Sequence, residues 1–284
     1  MPVEMKRITE ETFDRVLRSF NESVALDLRE VSFIDPYGMV GLLELGKAHG
    51  TGSERKTFYL PAAQQVLKYL ERMDFFKYAS GYFRLEPSSP QASEKYLRSP
   101  SSDVLLEITP IEKSDDIHFI VGKVRDRAQA ILATHLHYEE RAINGFIVVL
   151  SEVCQNIIEH SATTGFVGIQ KYYFQKINKN VVQIAVMDSG IGFMKSLSER
   201  FAIKDDLYAL EMTLLHGVSR YADEGRGHGL AGLRRFAKEW GGKLSIRSGT
   251  AKLSILPEWA WGKERVRKLP PFPGAKVNIL LPAV

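Results

Sequence analysis

The pair of residues best placed to do chemistry is Glu152 and Asn156, within residues 146–161, FIVVLSEVCQNIIEHS. At about 100° per residue in a helix, Glu152, Asn156 and Glu159 share an arc of roughly 60°. Gln155 flanks them, while Phe146, Val149, Leu150, Val153 and Ile157 take the other flank and the back. A carboxylate and a carboxamide one turn apart can meet at one point. The carboxylate could polarise a water or hydroxyl, and the carboxamide oxygen could ligate a hard cation. The same pattern also describes a solvated helix face, so the pair needs support from the rest of the chain.

Two glycine-bearing turns supply it. VVQIAVMD reads as a strand, apolar enough to be central in its sheet, and it ends in Asp188-Ser189-Gly190-Ile191-Gly192-Phe193. An acid at a strand end, followed by two glycines, makes a tight turn where a ligand can approach backbone. Asp188 could accept a hydrogen bond from an exocyclic amine. Further on, Gly225-Arg226-Gly227-His228-Gly229-Leu230 runs into the helical pattern LAGLRRFAKEW. A glycine-rich turn feeding a helix start presents free N–H groups to phosphate. The spacing matches neither a P-loop nor a dinucleotide fingerprint. Between the two turns, residues 194–224 are polar with one helical patch, ALEMTLLHGVSR. A connection this long inside a compact domain is commonly functional.

The elements that must hold these residues fall into two groups. Residues 3–20 look helical, with Phe13, Val16, Leu17 and Phe20 on one side, and residues 23–35 read as a strand. Asp35-Pro36 then caps and starts a helix that ends near Gly50. KTFYLP reads as a short strand and AAQQVLKYLERMDFF as a helix. Residues 85–103 hold three prolines and six serines and read as a linker. After it come a strand, VLLEITPI, a long helix beginning DDIHF, and the Glu152 helix. FVGIQKYYF and VVQIAVMD then pair through QKINKN as a hairpin. KLSIRSG and AKVNILLP are the remaining expected strands. The fold class is α/β with two domains: residues 1–84, a linker at 85–103, and residues 104–284, with a mixed sheet covered by helices on one face.

Bulk properties narrow the classes. The 284 residues are 44% hydrophobic and 25% charged, as in a soluble globular protein. No apolar run is read as long enough to cross a bilayer, and the start, MPVEMKRITEETF, does not look like a signal peptide. Cys154 is the only cysteine, which rules out an internal disulfide and favours a reducing, cytoplasmic setting. A net charge of +4 does not argue for nucleic acid. The basic run at residues 263–268, KERVRK, beside Trp259 and Trp261, reads as a charged insertion covering a sheet edge.

The E-x-x-x-N helix, the D-x-G-x-G turn, the long polar stretch and G-x-G-x-G-L opening a helix, in this order, resemble the GHKL (Bergerat-fold, HATPase_c) ATP-binding domain. This is the domain of gyrase, Hsp90, histidine kinases and MutL proteins. The resemblance covers residues 104–284 and implies ATP and Mg²⁺ as cofactors. It makes Glu152 the general base, Asn156 the Mg²⁺ ligand and Asp188 the reader of the adenine amine. Gly190 and Gly192 would let backbone pass close to the nucleotide. Gly225, Arg226, Gly227, His228, Gly229 and Leu230 would wrap the phosphates. This sequence has Glu159 where histidine kinases often carry a basic residue, and Gly274-Ala275 where the family has Gly-Thr. It has no phosphoacceptor histidine helix, His137 being the nearest candidate.

VALDLREVSFIDPYGMVGLLEL, with the strand–helix pair through Phe76, resembles the STAS domain of anti-sigma-factor antagonists. The phosphorylatable antagonists have a serine where Tyr37 stands. Asp35 and Gly38 are explained as a helix cap and a tight turn. Together the resemblances imply a bacterial signalling regulator that binds Mg·ATP and either phosphorylates a protein partner or binds it according to nucleotide state. The alternative is an ATP-hydrolysing clamp that dimerises without kinase activity. A membrane partner is not expected, and nucleic acid is an unfavoured one.

Overall fold

The computed structural model describes residues 5–50, 55–88, 103–218 and 228–284. The chain divides into two compact units, Met1–Ser102 and Asp103–Val284.

The first unit contains β1 (Arg7–Ile8), α1 (Phe13–Glu22), β2 (Ala25–Asp27), β3 (Phe33–Ile34), α2 (Pro36–His49), β4 (Thr57–Tyr59), α3 (Gln64–Arg72), α4 (Phe75–Tyr82) and β5 (Arg84–Glu86). Every strand pairing in it is parallel: β1 with β3, and β2-β4-β5. Within the described residues, the helix expected over 3–20 begins at Phe13, and residues 3 and 4 lie outside them. The Thr12 Oγ1 accepts from the Thr9 N–H at 2.9 Å, closing a turn that separates β1 from α1. Phe13, Val16, Leu17 and Phe20 are all buried, as the periodicity requires. The strand expected over residues 23–35 is broken by a turn in which the Val31 N–H reaches the Leu28 carbonyl at 2.9 Å. Its two halves join different sheets. α2 starts as read: Asp35 accepts from the Gly38 N–H at 2.7 Å and Pro36 takes the first helical position. A Cβ on Gly38 would lie 2.6 Å from the Ile8 carbonyl, so glycine permits α2 to meet β1. Leu85 and Glu86, read as linker, belong to β5.

The second unit contains β6 (Val104–Ile111), α5 (Ser114–Leu136), α6 (Glu140–His160), β7 (Gly165–Phe174), β8 (Lys179–Asp188), α7 (Gly192–Ser198), α8 (Asp206–His216), α9 (His228–Glu239), β9 (Lys243–Gly249), β10 (Ala251–Ile255), β11 (Arg265–Val266) and β12 (Phe272–Pro282). The seven strands run in the order β11-β10-β9-β12-β8-β7-β6. Every pairing is antiparallel, so the sheet is not the mixed one expected. Short returns such as Gly249-Thr250 reverse the chain between neighbours, which only antiparallel strands allow. β10 and β11 were not expected. β11 places Arg265 and Val266 at the sheet edge, and Arg265 and Arg267 pair with Glu211 and Asp205 of the α8 region at 2.6 and 2.5 Å. The basic run is thus an edge strand with paired arginines.

One face of this sheet carries Val167, Ile169, Ile184, Val186, Ile246, Val277 and Ile279, which share a core with α5, α6, α8 and α9. The segment Glu140–Glu159 is by length and composition alone long and apolar enough to cross a bilayer, which corrects the reading of the apolar runs. In the fold it is a core helix, with Phe146, Leu150, Val153, Cys154 and Ile157 buried in that cluster.

Candidate functional site

α6 is anchored at its C-terminal end by Ser161. The Ser161 N–H donates to the Ile157 carbonyl at 3.1 Å, and its carbonyl accepts from the Ile191 N–H at 3.0 Å. The second bond ties the end of α6 to the turn after β8. A Cβ on Gly190 would overlap the Ser161 carbonyl, so glycine here serves the protein's own close approach. Gly192 adopts φ +72°, which favours glycine, and a Cβ there would meet Ser248 Oγ at 2.7 Å. Ser248 Oγ accepts instead from the Phe193 N–H at 3.1 Å, seating α7 on β9.

Asp188 is 4% exposed at the end of β8. Its Oδ1 accepts from the Gly190 N–H at 2.8 Å and its Oδ2 from the Ala275 N–H at 3.3 Å. Gly274, at φ +82°, leaves no room for a Cβ beside the Asp188 carbonyl and carboxylate. The turn and the start of β12 therefore clasp one carboxylate from both sides. The threonine expected at 275 is replaced by alanine, yet the backbone N–H of that residue reaches Asp188.

An open cleft of about 450 Å³ lies in front of Asp188. α6 lines it with Val153, Asn156, Ile157 and Ser161, and β8 with Val186 and Asp188. Gly192, Phe193 and Ser196 come from α7, Leu230 from α9, and Ala275 and Val277 from β12. The walls are mostly apolar with a few convergent polar groups, the usual make-up of a small-molecule site. Asn156 Nδ2 is shielded from solvent and has no hydrogen-bond partner among the described residues. A buried donor left unpaired is uncommon, and one beside a cleft fits an acceptor atom of a ligand.

Of the residues read from the sequence, Asn156, Asp188, Gly192 and Leu230 meet at this cleft. Gly190 does not line the cleft, and its N–H donates to Asp188. Glu152 is one turn before Asn156 and half-buried. Its carboxylate faces α9, with Oε2 3.5 Å from where a Cβ on Gly232 would sit. Glu159 accepts from Gln155 Nε2 at 2.9 Å, one turn back along α6. His228 and Gly229 open α9, and Gly225, Arg226 and Gly227 lie outside the described residues. His137 is not on a helix: it is exposed, at φ +58°, between α5 and α6. Ser161, Phe193, Ser196 and Val277 were not foreseen. Phe193 and Ser196 lie three residues apart on a helix that directly follows the D-x-G-x-G turn, and that spacing was the available signal.

Cys154 lies on the opposite side of α6, fully buried, and burial pushes its thiol up to about 12. Such a thiol is a packed apolar group and not a nucleophile. Among the described residues no group of three or more His, Cys, Asp or Glu side chains could hold a metal ion. A cation here would take most of its ligands from a ligand's own oxygens and from water, as Mg²⁺ does with nucleotide phosphates.

No curated protein matches the chain. Residues 142–282 match the family described as histidine kinase-, DNA gyrase B-, and HSP90-like ATPase. The match begins within α6 and ends within β12, so it takes in every residue that lines the cleft. That stretch of the chain is a domain of the histidine kinase-, DNA gyrase B-, and HSP90-like ATPase family.

Proposed function

We propose that the chain is an Mg·ATP-binding signalling regulator that uses its second unit to phosphorylate a protein partner on serine, or to bind it according to nucleotide state. The observation that carries this reading is the placement of Asn156 and Asp188 on two walls of one apolar cleft inside the family domain. Asp188 is held with its acceptor oxygens oriented by two backbone N–H groups, which suits an amine-bearing base. Asn156 brings an unpaired carboxamide nitrogen to the same space. Its Oδ1 would serve as a ligand to Mg²⁺, and the metal would neutralise phosphate charge when bound. Glu152, one helical turn away, would take the proton of the attacking hydroxyl or water.

The first unit is assigned to the partner-recognition side of the regulator, as an antagonist-like domain of the STAS type. Its parallel strands and the capped Asp35–Gly38 turn support that reading. Tyr37 is buried, so regulation there would not run through a surface hydroxyl.

The test follows γ-labelled ATP with purified protein and candidate partners. Label on a partner serine supports the kinase form. Release of all label as free phosphate would assign the cleft to an ATP-hydrolysing switch instead.

A further inference from the structure

We propose that Ser196 is a specificity-determining residue of the cleft: its hydroxyl donates to a ring nitrogen beside the base amine that Asp188 accepts from. The proposal rests on the nucleotide reading above and adds to it the way the base is chosen.

Ser196 lies on α7, is 5% exposed and lines the cleft with Asp188 and Ala275. Serines in helices commonly return their hydroxyl to a carbonyl one turn back. Ser198, two residues on, does so: its Oγ donates to the Met194 carbonyl at 2.7 Å. Ser196 makes no such bond, and none to any other described residue. The other serine lining the cleft has its hydroxyl committed: Ser161 Oγ sits between the Ile157 and Thr163 carbonyls at 2.5 and 2.6 Å. Ser196 is therefore the serine at this cleft whose hydroxyl is left for a ligand.

The chemistry of the two groups selects the ligand. The Asp188 oxygens already accept from the Gly190 and Ala275 N–H groups, so the carboxylate calls for a donor on the base. A hydroxyl can donate, and Ala275 contributes no side-chain donor, its N–H being used on Asp188. An acceptor and a donor lining one cleft can complement an amine and its adjoining ring nitrogen, the edge that a 6-aminopurine presents. A 6-oxopurine places a carbonyl oxygen toward the carboxylate, so that two acceptors face each other. A site built on hydrogen bonds to the base rejects a ligand that leaves them unmade more strongly than one built on apolar contact. Asp188 thus selects against guanine and hypoxanthine nucleotides, and the Ser196 hydroxyl adds to the hold on the amine-bearing base.

The experiment measures binding of ATP, 1-deaza-ATP, 7-deaza-ATP and GTP to the full-length protein and to Ser196→Ala and Ser196→Thr. The wild type is expected to bind ATP about fivefold more tightly than one of the two deaza analogues, the usual worth of one neutral hydrogen bond. Ser196→Ala should bind ATP about fivefold more weakly and lose the distinction between ATP and that analogue. Ser196→Thr, which keeps the hydroxyl, should keep the distinction. Wild-type ATP affinity and an unchanged analogue pattern in Ser196→Ala would overturn the proposal, as would a wild type indifferent to both deaza positions. Failure of the wild type to bind ATP at all removes the nucleotide reading itself, a result the analogue series does not mimic.

Discussion

Gly190 and Ser161, twenty-nine positions apart, touch backbone to backbone. The Ile191 N–H donates to the Ser161 carbonyl at 3.0 Å, and any Cβ on Gly190 would overlap that same oxygen. This contact fixes the end of α6 against the turn that carries Asp188, so the spacing between Asn156 and Asp188 depends on it.

Gly190→Ala is therefore expected to push α6 and the turn apart. The collision is with backbone, which cannot rotate away, and the loss should reach about 2 kcal/mol, in the upper part of the usual range for single substitutions. Gly232→Ala is the matched control. Its Cβ would meet Glu152 Oε2 at an ordinary 3.5 Å, and alanine in a helix interior gains about 0.5–1 kcal/mol over glycine. Urea unfolding of both variants checks the contrast, and equal stabilities would show that the Ser161 contact yields freely.

Asp188→Asn exchanges one acceptor oxygen for an amide donor. The native carboxylate accepts from the N–H groups of Gly190 and Ala275 on its two oxygens, so one of these bonds becomes a donor facing a donor. A loss of about 1–3 kcal/mol is expected from the unsatisfied group. ATP affinity should fall tenfold or more, about 1.4 kcal/mol. Calorimetric titration with ATP, paired with a thermal melt, separates the two effects.

Glu152→Ala should bind ATP as the wild type does, because Glu152 does not line the cleft that Asn156 and Asp188 share. Phosphoryl transfer or hydrolysis should drop by about 10²–10⁴-fold, the contribution of a positioned general base. Single-turnover assays with labelled ATP measure this directly. Surviving turnover would move the base to another residue.

Alkaline pH should destabilise the second unit. The buried Cys154 thiol is raised from 9.0 to about 12, and burial raises the Tyr138 hydroxyl also. Above pH 9 the unfolded chain releases the cysteine proton while the folded chain keeps it. The folded state then binds more protons than the unfolded one, so stability falls as pH rises from about 9 toward 12. Cys154→Ala should flatten the first part of that decline, read from thermal midpoints across pH 8–11. Thiol reagents should label Cys154 only on unfolding.

How far the sequence reaches is clear from particular elements. Local chemistry was legible. Asp35-Pro36 announces α2 because capping and a preset φ act within one turn. The apolar stripe through Phe146, Val153 and Ile157 announces α6, and the alternation around QKINKN announces the β7–β8 hairpin. Asp188 at a strand end and Asn156 on a helix face could be named because each is defined by its nearest neighbours. What needed the tertiary structure is what depends on partners distant in the chain. The pairing of β12 between β8 and β9, and with it the wholly antiparallel sheet, is set by hydrogen bonds between segments up to a hundred residues apart. β11, with two residues, is too short to carry a periodic signal and exists because β10, itself paired to β9, offers it an edge. The clasp of Gly274 and Ala275 around Asp188, the contact of Gly190 with Ser161, and the opening of Ser196 onto the same cleft all arise where β8, α6, α7 and β12 converge. A sequence specifies which residues can bond, but only the packed chain decides which of them meet.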